Sequence, residues 1–217
     1  MWGSQRRELV LAIYEPTWFI KVVEYLKRRG IRFHYYYSKQ DIPAECVVYT
    51  DHHLFAEEIT DRPGVTVIYD PKRDCRELEK AILITKYADS YNVLIVGIDP
   101  GSKLSYVILS GEELLLYGDG DIGDLERDLD YVVRCIPHRE LRVKIGSGHN
   151  AVDLALKIKS KYHVPVEIVD EKMSTPSITR LEEIRFLKKR LKELKPFRYR
   201  DIYAAYKIAI SKGVEVL

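Results

Sequence analysis

The chain has 217 residues, 46% hydrophobic and 31% charged, with a formal net charge of +2. That length fits one large domain or two small ones with a real core. Near-neutrality excludes a bulk polyanion binder, so any affinity for nucleic acid has to come from local patches. No signal-like segment or membrane-spanning apolar run stands out, so the expectation is a soluble, cytoplasmic protein with no membrane partner. Two Asn and two Gln, set against abundant Lys, Arg and Glu, suit a thermophile. Cys46, Cys75 and Cys135 have neither paired nor metal-like spacing and read as reduced thiols.

In chain order, Glu8 to Tyr14 reads as a strand. Glu15-Pro16-Thr17 carries helix-start chemistry. Trp18 to Arg29 follows as a helix with Phe19, Val22, Val23 and Leu26 on one face, closed by Gly30. Arg32 to Tyr37, Cys46 to Thr50 and Val65 to Tyr69 read as strands, and Leu54 to Ile59 and Cys75 to Ala88 as helices. The alternation predicts a small, mainly parallel α/β layer domain over residues 1–90, with the junction at Lys86 to Tyr91. Glu15, Asp51 and Asp70 stand at strand ends, where acids cap turns and helices; an acidic pocket is the sharper alternative. His52-His53 reads as a turn or solvated pair rather than a metal site, because neighbours on an extended chain point opposite ways. Tyr35, Tyr36 and Tyr37 suit strand packing, with base stacking as the alternative.

The second half, residues 91–217, is organised around Val93 to Asp99, an apolar strand that ends in a carboxylate before Pro100-Gly101. Such a strand is buried on both faces and delivers its acid where α/β sheets hold ligands. Leu104 to Leu109 and Glu112 to Tyr117, turning at Gly111, complete an antiparallel meander. A helix over Asp121 to Cys135, a strand over Leu141 to Ile145, a helix over Ala151 to Lys161 and a strand over Val164 to Val169 follow. Pro176 to Lys195 and Tyr199 to Lys212 are the last helices. In the latter, Asp201 opens the helix, and the small Ala204, Ala205 and Ala209 let it press against the sheet. Gly146-Ser147-Gly148 is either an ordinary strand-to-helix turn or a phosphate cradle. His149 beside it reads as a cap or surface group, with ligand or proton carrier as the alternative.

Three motifs in this order resemble the RNase H-like superfamily, and within it the RuvC/YqgF group. Ile98-Asp99-Pro100-Gly101 is similar to its first-strand motif. Val169-Asp170-Glu171-Lys172-Met173-Ser174-Thr175 is similar to the Asp-Glu-Arg-Leu-Thr-Thr motif of the YqgF branch. Asp201-Ile202-Tyr203-Ala204-Ala205 resembles the last-helix motif. The resemblance implies an RNase H-like domain, a mixed sheet flanked by helices, that acts as a metal-dependent nuclease on structured nucleic acid. Asp99, Glu171 and Asp201 match its catalytic and metal-binding positions. Ile145-Gly146 stands where the RuvC branch carries a Glu, a departure that fits the YqgF branch better. Hard divalent cations select carboxylate oxygens, and a two-ion Mg²⁺ or Mn²⁺ site is the expected cofactor for phosphodiester hydrolysis.

A basic run holds Lys188, Lys189, Lys192, Arg198 and Arg200, and with Lys172 these are the expected contacts to the phosphate backbone. A solvated helix face accounts for the same run equally well. Junction resolution would call for a homodimer, since two symmetric cuts need two sites. Two other functions stand beside hydrolysis. One is a non-catalytic nucleic-acid-binding protein on the same fold. The other is an actin-like ATPase, for which Asp99 to Lys103 resembles a first phosphate loop, although no second such loop is visible.

Overall fold

The computed structural model describes residues 7–36, 42–148, 150–170 and 196–216, with side chains omitted at 196–199. Two units divide the chain: Met1–Tyr91 with Tyr131–Pro137, and Asn92–Asp130 with His138–Leu217.

Unit 1 is a four-stranded sheet in the order β2-β1-β3-β4, built from β1 (Glu8–Ala12), β2 (His34–Tyr35), β3 (Cys46–Thr50) and β4 (Val65–Tyr69). Every pairing in it is parallel. Period-two alternation sends Leu9, Leu11, Val47 and Tyr49 to one face. There they pack against Val22 and Leu26 of α1 (Pro16–Arg28) and Leu78, Ala81 and Ile82 of α3 (Cys75–Ile84). Val10, Ala12, Cys46 and Val48 on the other face pack against Phe55 and Ile59 of α2 (His53–Thr60). Helices on both faces make this the layered α/β domain that the alternation predicts.

Between α1 and α3 lies a buried ion pair. Arg29, 3% exposed, meets the fully buried Glu79 at 2.7 Å. Tyr25 and Tyr131 both donate to the Glu79 carboxylate, the latter at 3.1 Å, and Arg29 donates to Tyr91 Oη at 3.4 Å. Burial by itself would ease the proton off Arg29, but the adjacent Glu79 carboxylate outweighs it and holds the guanidinium well above its ordinary value.

The cysteine expectation is overturned. Cys75, the first residue of α3, is disulfide-bonded to Cys135, the last of α4 (Ile122–Cys135), with Cα atoms 5.3 Å apart. Cys46 alone is free, and it is buried. The pair was hidden because 60 residues separate the two positions, so contact rather than spacing brings them together.

Unit 2 is a six-stranded sheet in the order β10-β9-β8-β5-β6-β7. Its strands are β5 (Tyr91–Pro100), β6 (Leu104–Ser110), β7 (Glu113–Gly120), β8 (His138–Gly146), β9 (Val166–Val169) and β10 (Val214–Glu215). The meander β5-β6-β7 is antiparallel, β8-β9 is parallel and β9-β10 antiparallel. Tyr91 N donates to Pro137 O at one end of the β5–β8 pair. Gly148 abuts Pro100 at the other, so those strands also run the same way. This mixed sheet flanked by helices is the architecture the resemblance implies. Tyr106 Oη donates to Asp128 at 2.8 Å, which seats α4 on one sheet face. Beside it lies α5 (Ala151–Tyr162), whose Lys157 and Lys161 pair with Glu126 at 2.9 and 3.1 Å. The opposite face carries α6 (Pro196–Ile210), through Ile202, Ala205, Tyr206 and Ala209 against Val107, Leu109 and Leu114.

Among the described residues, no helix is long and apolar enough to cross a membrane.

Candidate functional site

The strand that ends in Asp99 is central in its sheet, with β8 on one side and β6 on the other. Leu94, Val96 and Ile98 are fully buried, and Asp99 is half-buried at the carboxyl end. Two residues earlier, Gly97 lies directly against α6. A Cβ there would run into Ala205 O and stand 2.6 Å from Ala209 Cβ and 2.8 Å from Ala209 N. Any side chain at 97 would lift the helix. Gly97, Ala205 and Ala209 are therefore the small residues that let helix and strand backbones meet.

This contact fixes which carboxylates share a surface. Gly97 and Asp99 are two apart on a strand and project to the same side, about 6.6 Å along. Asp201 precedes Ala205 by four residues, so it lies on the same strip of α6, about one 5.4 Å turn away. Asp99 and Asp201 thus belong to one side of the sheet, the side that α6 covers. Asp201 is half-exposed, and its carboxylate meets Arg200 Nε at 3.8 Å, a loose surface pair. It does not open its helix. The helix begins at Pro196, a residue suited to a first helical position, and Asp201 sits in the second turn.

A third acid on this side was missed. Asp99 pairs with Ser105 on β6, and Ser105 with Asp119 on β7. Directly paired residues project to the same face, so the row Asp99–Ser105–Asp119 crosses the sheet under α6. A simple hairpin count from Gly111 would set Gly118 opposite Ser105. The register shift at Ile108/Leu109 leaves Leu115 as the extra residue, and the bulge turns Asp119 inward instead. Only that bulge could have signalled it, and a bulge has no reliable sequence mark. Asp99 and Asp119 are two strand spacings apart, about 9.6 Å, too far to share one ion unaided. Accordingly, among the described residues no group of three or more His, Cys, Asp or Glu is placed to hold a metal ion.

The remaining site residues stand as follows. Glu171 and Lys172 lie outside the described residues, as do Lys188, Lys189, Lys192 and His149. So do Thr175 and the predicted helix Pro176 to Lys195. Asp170, exposed, is the residue immediately before Glu171 and follows directly on β9. The side chain of Arg198 is not described, and that of Arg200 is 90% exposed. In the loop after β8 three backbone amides are already paired. Ser147 N donates to Val169 O, Gly148 N to Gly146 O and Ala151 N to Gly148 O, so these amides are already spent.

The strand-end acids of unit 1 cap turns, as their position suggested. Glu15 accepts from Thr17 N and Trp18 N, and the Trp18 amide above all holds its carboxyl below the ordinary range. Asp51, its side chain 2% exposed, accepts from Tyr14 N at 2.7 Å, Glu15 N at 3.2 Å and Arg73 Nε at 3.1 Å. Asp70 accepts from Tyr49 Oη at 2.6 Å and Asp74 N at 2.7 Å. Burial pushes its carboxyl up despite those bonds. His52 Nδ1 caps α2 through Phe55 N, and His53 pairs with Glu57 at 3.5 Å.

No family model matches the chain, and no curated protein matches it. Four chains of solved structures do. One is the X-ray crystal structure of Marinitoga piezophila Argonaute in complex with 5′ OH guide RNA, at 11% identity and a TM-score of 0.29. The match covers 77% of this chain and 40% of that one. A likeness this loose carries no argument about what the chain does.

Proposed function

We propose that unit 2 is a metal-dependent nuclease that hydrolyses phosphodiester bonds in structured or precursor nucleic acid. The observation supporting this reading is the seating of α6 on Gly97, which puts Asp201 on the same side of the sheet as Asp99. Asp99, Glu171 and Asp201 would hold Mg²⁺ or Mn²⁺, an all-oxygen donor set suited to hard cations. Such ions, when bound, make water a nucleophile near neutral pH and neutralise charge on the attacking and leaving oxygens. Asp99 comes from a packed central strand, which suits a residue that orients the others. Lys172, Lys188, Lys189, Lys192, Arg198 and Arg200 would hold the phosphate backbone.

The test is cleavage of branched DNA and folded RNA in Mn²⁺ or Mg²⁺ by the wild type, Asp99→Asn and Asp201→Asn. Metal-dependent cleavage abolished by Asp99→Asn is the expected result, and undiminished cleavage in that variant removes the assignment. The second reading, a binding protein without turnover, draws on Ile145-Gly146 standing in place of a fourth-strand acid. Tight, salt-sensitive binding with no cleavage in either metal would select it.

A further inference from the structure

The carboxyl edge of the unit 1 sheet is lined with aromatic rings. Each strand ends at one. β2 carries Tyr35, β1 leads into Tyr14, β3 into His52, and β4 ends at Tyr69. Three of these rings are open to solvent, with Tyr14 56% exposed, Tyr35 43% and Tyr69 38%. They are supported from beneath or beside by other rings. Tyr14 stacks on His52 with centroids 4.1 Å apart and planes 22° from parallel. Tyr35 leans on Phe19 at 5.5 Å and Tyr69 on His53 at 5.6 Å. Between Tyr14 on one side and Phe19, Tyr35 and Tyr36 on the other opens a cleft of about 390 Å³, with Pro16 in its wall and, among the described residues, no charged side chain lining it.

The edge is also where this topology reverses. From β1 the chain moves outward to β2, then returns past β1 to β3, and the crevice where open α/β sheets take ligands falls between the ends of β1 and β3, at Tyr14 and His52, next to this cleft. The charges there complete the description. Three acids of the edge are engaged, since Asp51 and Asp70 are 2% exposed and Glu15 is spent on the α1 cap, while Asp74 and Glu57 are exposed. Just after β4, Lys72 is exposed, and Arg73 is exposed with its Nε on the Asp51 carboxylate at 3.1 Å. Leu54 at the start of α2 is 63% exposed, and Leu11, Ala12 and Ile13 line the cleft, but the exposed strand-end side chains are rings. They offer flat faces at strand spacing, about 4.8 Å per strand, beside the positive charge of Lys72.

We infer that this edge is a stacking platform for the unpaired bases of single-stranded nucleic acid, with the cleft between Tyr14 and Tyr35 as its principal seat. A base has a π-face whatever its identity, so stacking of this kind is tolerant of sequence. Lys72 supplies the salt-dependent share of binding by meeting a phosphate. The choice of polymer rests on the nucleic-acid reading of unit 2, but the platform itself does not need unit 2 to cut.

The experiment is fluorescence anisotropy of a labelled 20-nucleotide oligo-dT and oligo-U against a duplex of equal length. It uses the full chain carrying Asp99→Asn in EDTA, so neither cleavage nor its failure enters. Single strands should bind more tightly than duplex. Tyr14→Ala and Tyr35→Ala should each weaken single-strand binding about tenfold or more, whereas Tyr14→Phe, which keeps the ring, and Leu156→Ala on α5 should leave it unchanged. A preserved melting temperature in the alanine variants separates lost stacking from lost fold. Absence of single-strand binding, a preference for duplex, or equal affinity for Tyr14→Ala and Tyr14→Phe would each overturn the inference.

Discussion

Gly97→Ala tests whether α6 and the Asp99 strand are held at backbone contact. The added methyl would stand 2.6 Å from Ala209 Cβ and 2.8 Å from Ala209 N, and nearer still to Ala205 O. Ordinary contact is about 3.5–4.0 Å, so the helix must retreat by roughly 1 Å. None of the opposing atoms is the end of a flexible side chain that could swing aside. A gap of that size forfeits about a quarter to a half of each dispersion contact made by the neighbouring Ile202, Tyr206 and Val107. Overpacking of this kind costs about 1–3 kcal/mol, or a fall in Tm of about 2–12 °C. Differential scanning calorimetry and urea titration measure it. Gly101→Ala is the control, since its Cβ would meet only Lys103 O at an ordinary 3.4 Å, and it should shift stability by less than about 0.5 kcal/mol. A Gly97→Ala protein as stable as the control would show that helix and strand are not in contact there, and Asp201 would no longer be assigned to the Asp99 side of the sheet.

Three further outcomes follow from unit 1. Thiol titration of the denatured, unreduced protein should find one free cysteine, Cys46, and reduction should lower stability by about 2–5 kcal/mol because it releases a loop closed over 60 residues. Glu79→Gln should cost about 3–5 kcal/mol by stranding a buried Arg29, and the paired change Arg29→Met with Glu79→Leu should recover most of that loss in chemical denaturation. Asp70 gives a pH dependence. Burial raises its carboxyl in the folded state, so the native protein holds that proton more tightly than the unfolded chain. The resulting stabilisation is present below the ordinary carboxylate value and lost as pH rises through the raised one. Asp70→Asn keeps an acceptor for Tyr49 and Asp74, so its urea midpoint should gain on the wild type as pH climbs from 4 to 7. A constant difference across that range would contradict the assignment.

Local pattern made much of this fold legible. The β5–β6–β7 meander, the α/β alternation of unit 1 and the capping acids all rest on interactions between near neighbours in sequence, where turn residues and apolar period are informative. Two of the small residues of the last helix, Ala205 and Ala209, also read correctly as a close approach, since both face Gly97. The features that escaped depend on distant contact or on a one-residue irregularity. Cys75 and Cys135 meet only when α3 and the end of α4 are folded. Asp119 reaches the α6 side only through the bulge at Leu115. Asp201 read as a helix start because Pro196, five residues earlier, also starts one.

Helix α4 has a consequence for anyone dividing the gene. Its last turn and the residues after it, Tyr131–Pro137, group with residues that precede them by 40 positions or more, while its first turns group with the other unit. A fragment stopped at Tyr91 would therefore carry an orphan thiol at Cys75 and a Glu79 short of its Tyr131 donor. Excising the amino-terminal lobe intact requires grafting that heptapeptide back on, as a circular permutant or a split-protein complement would.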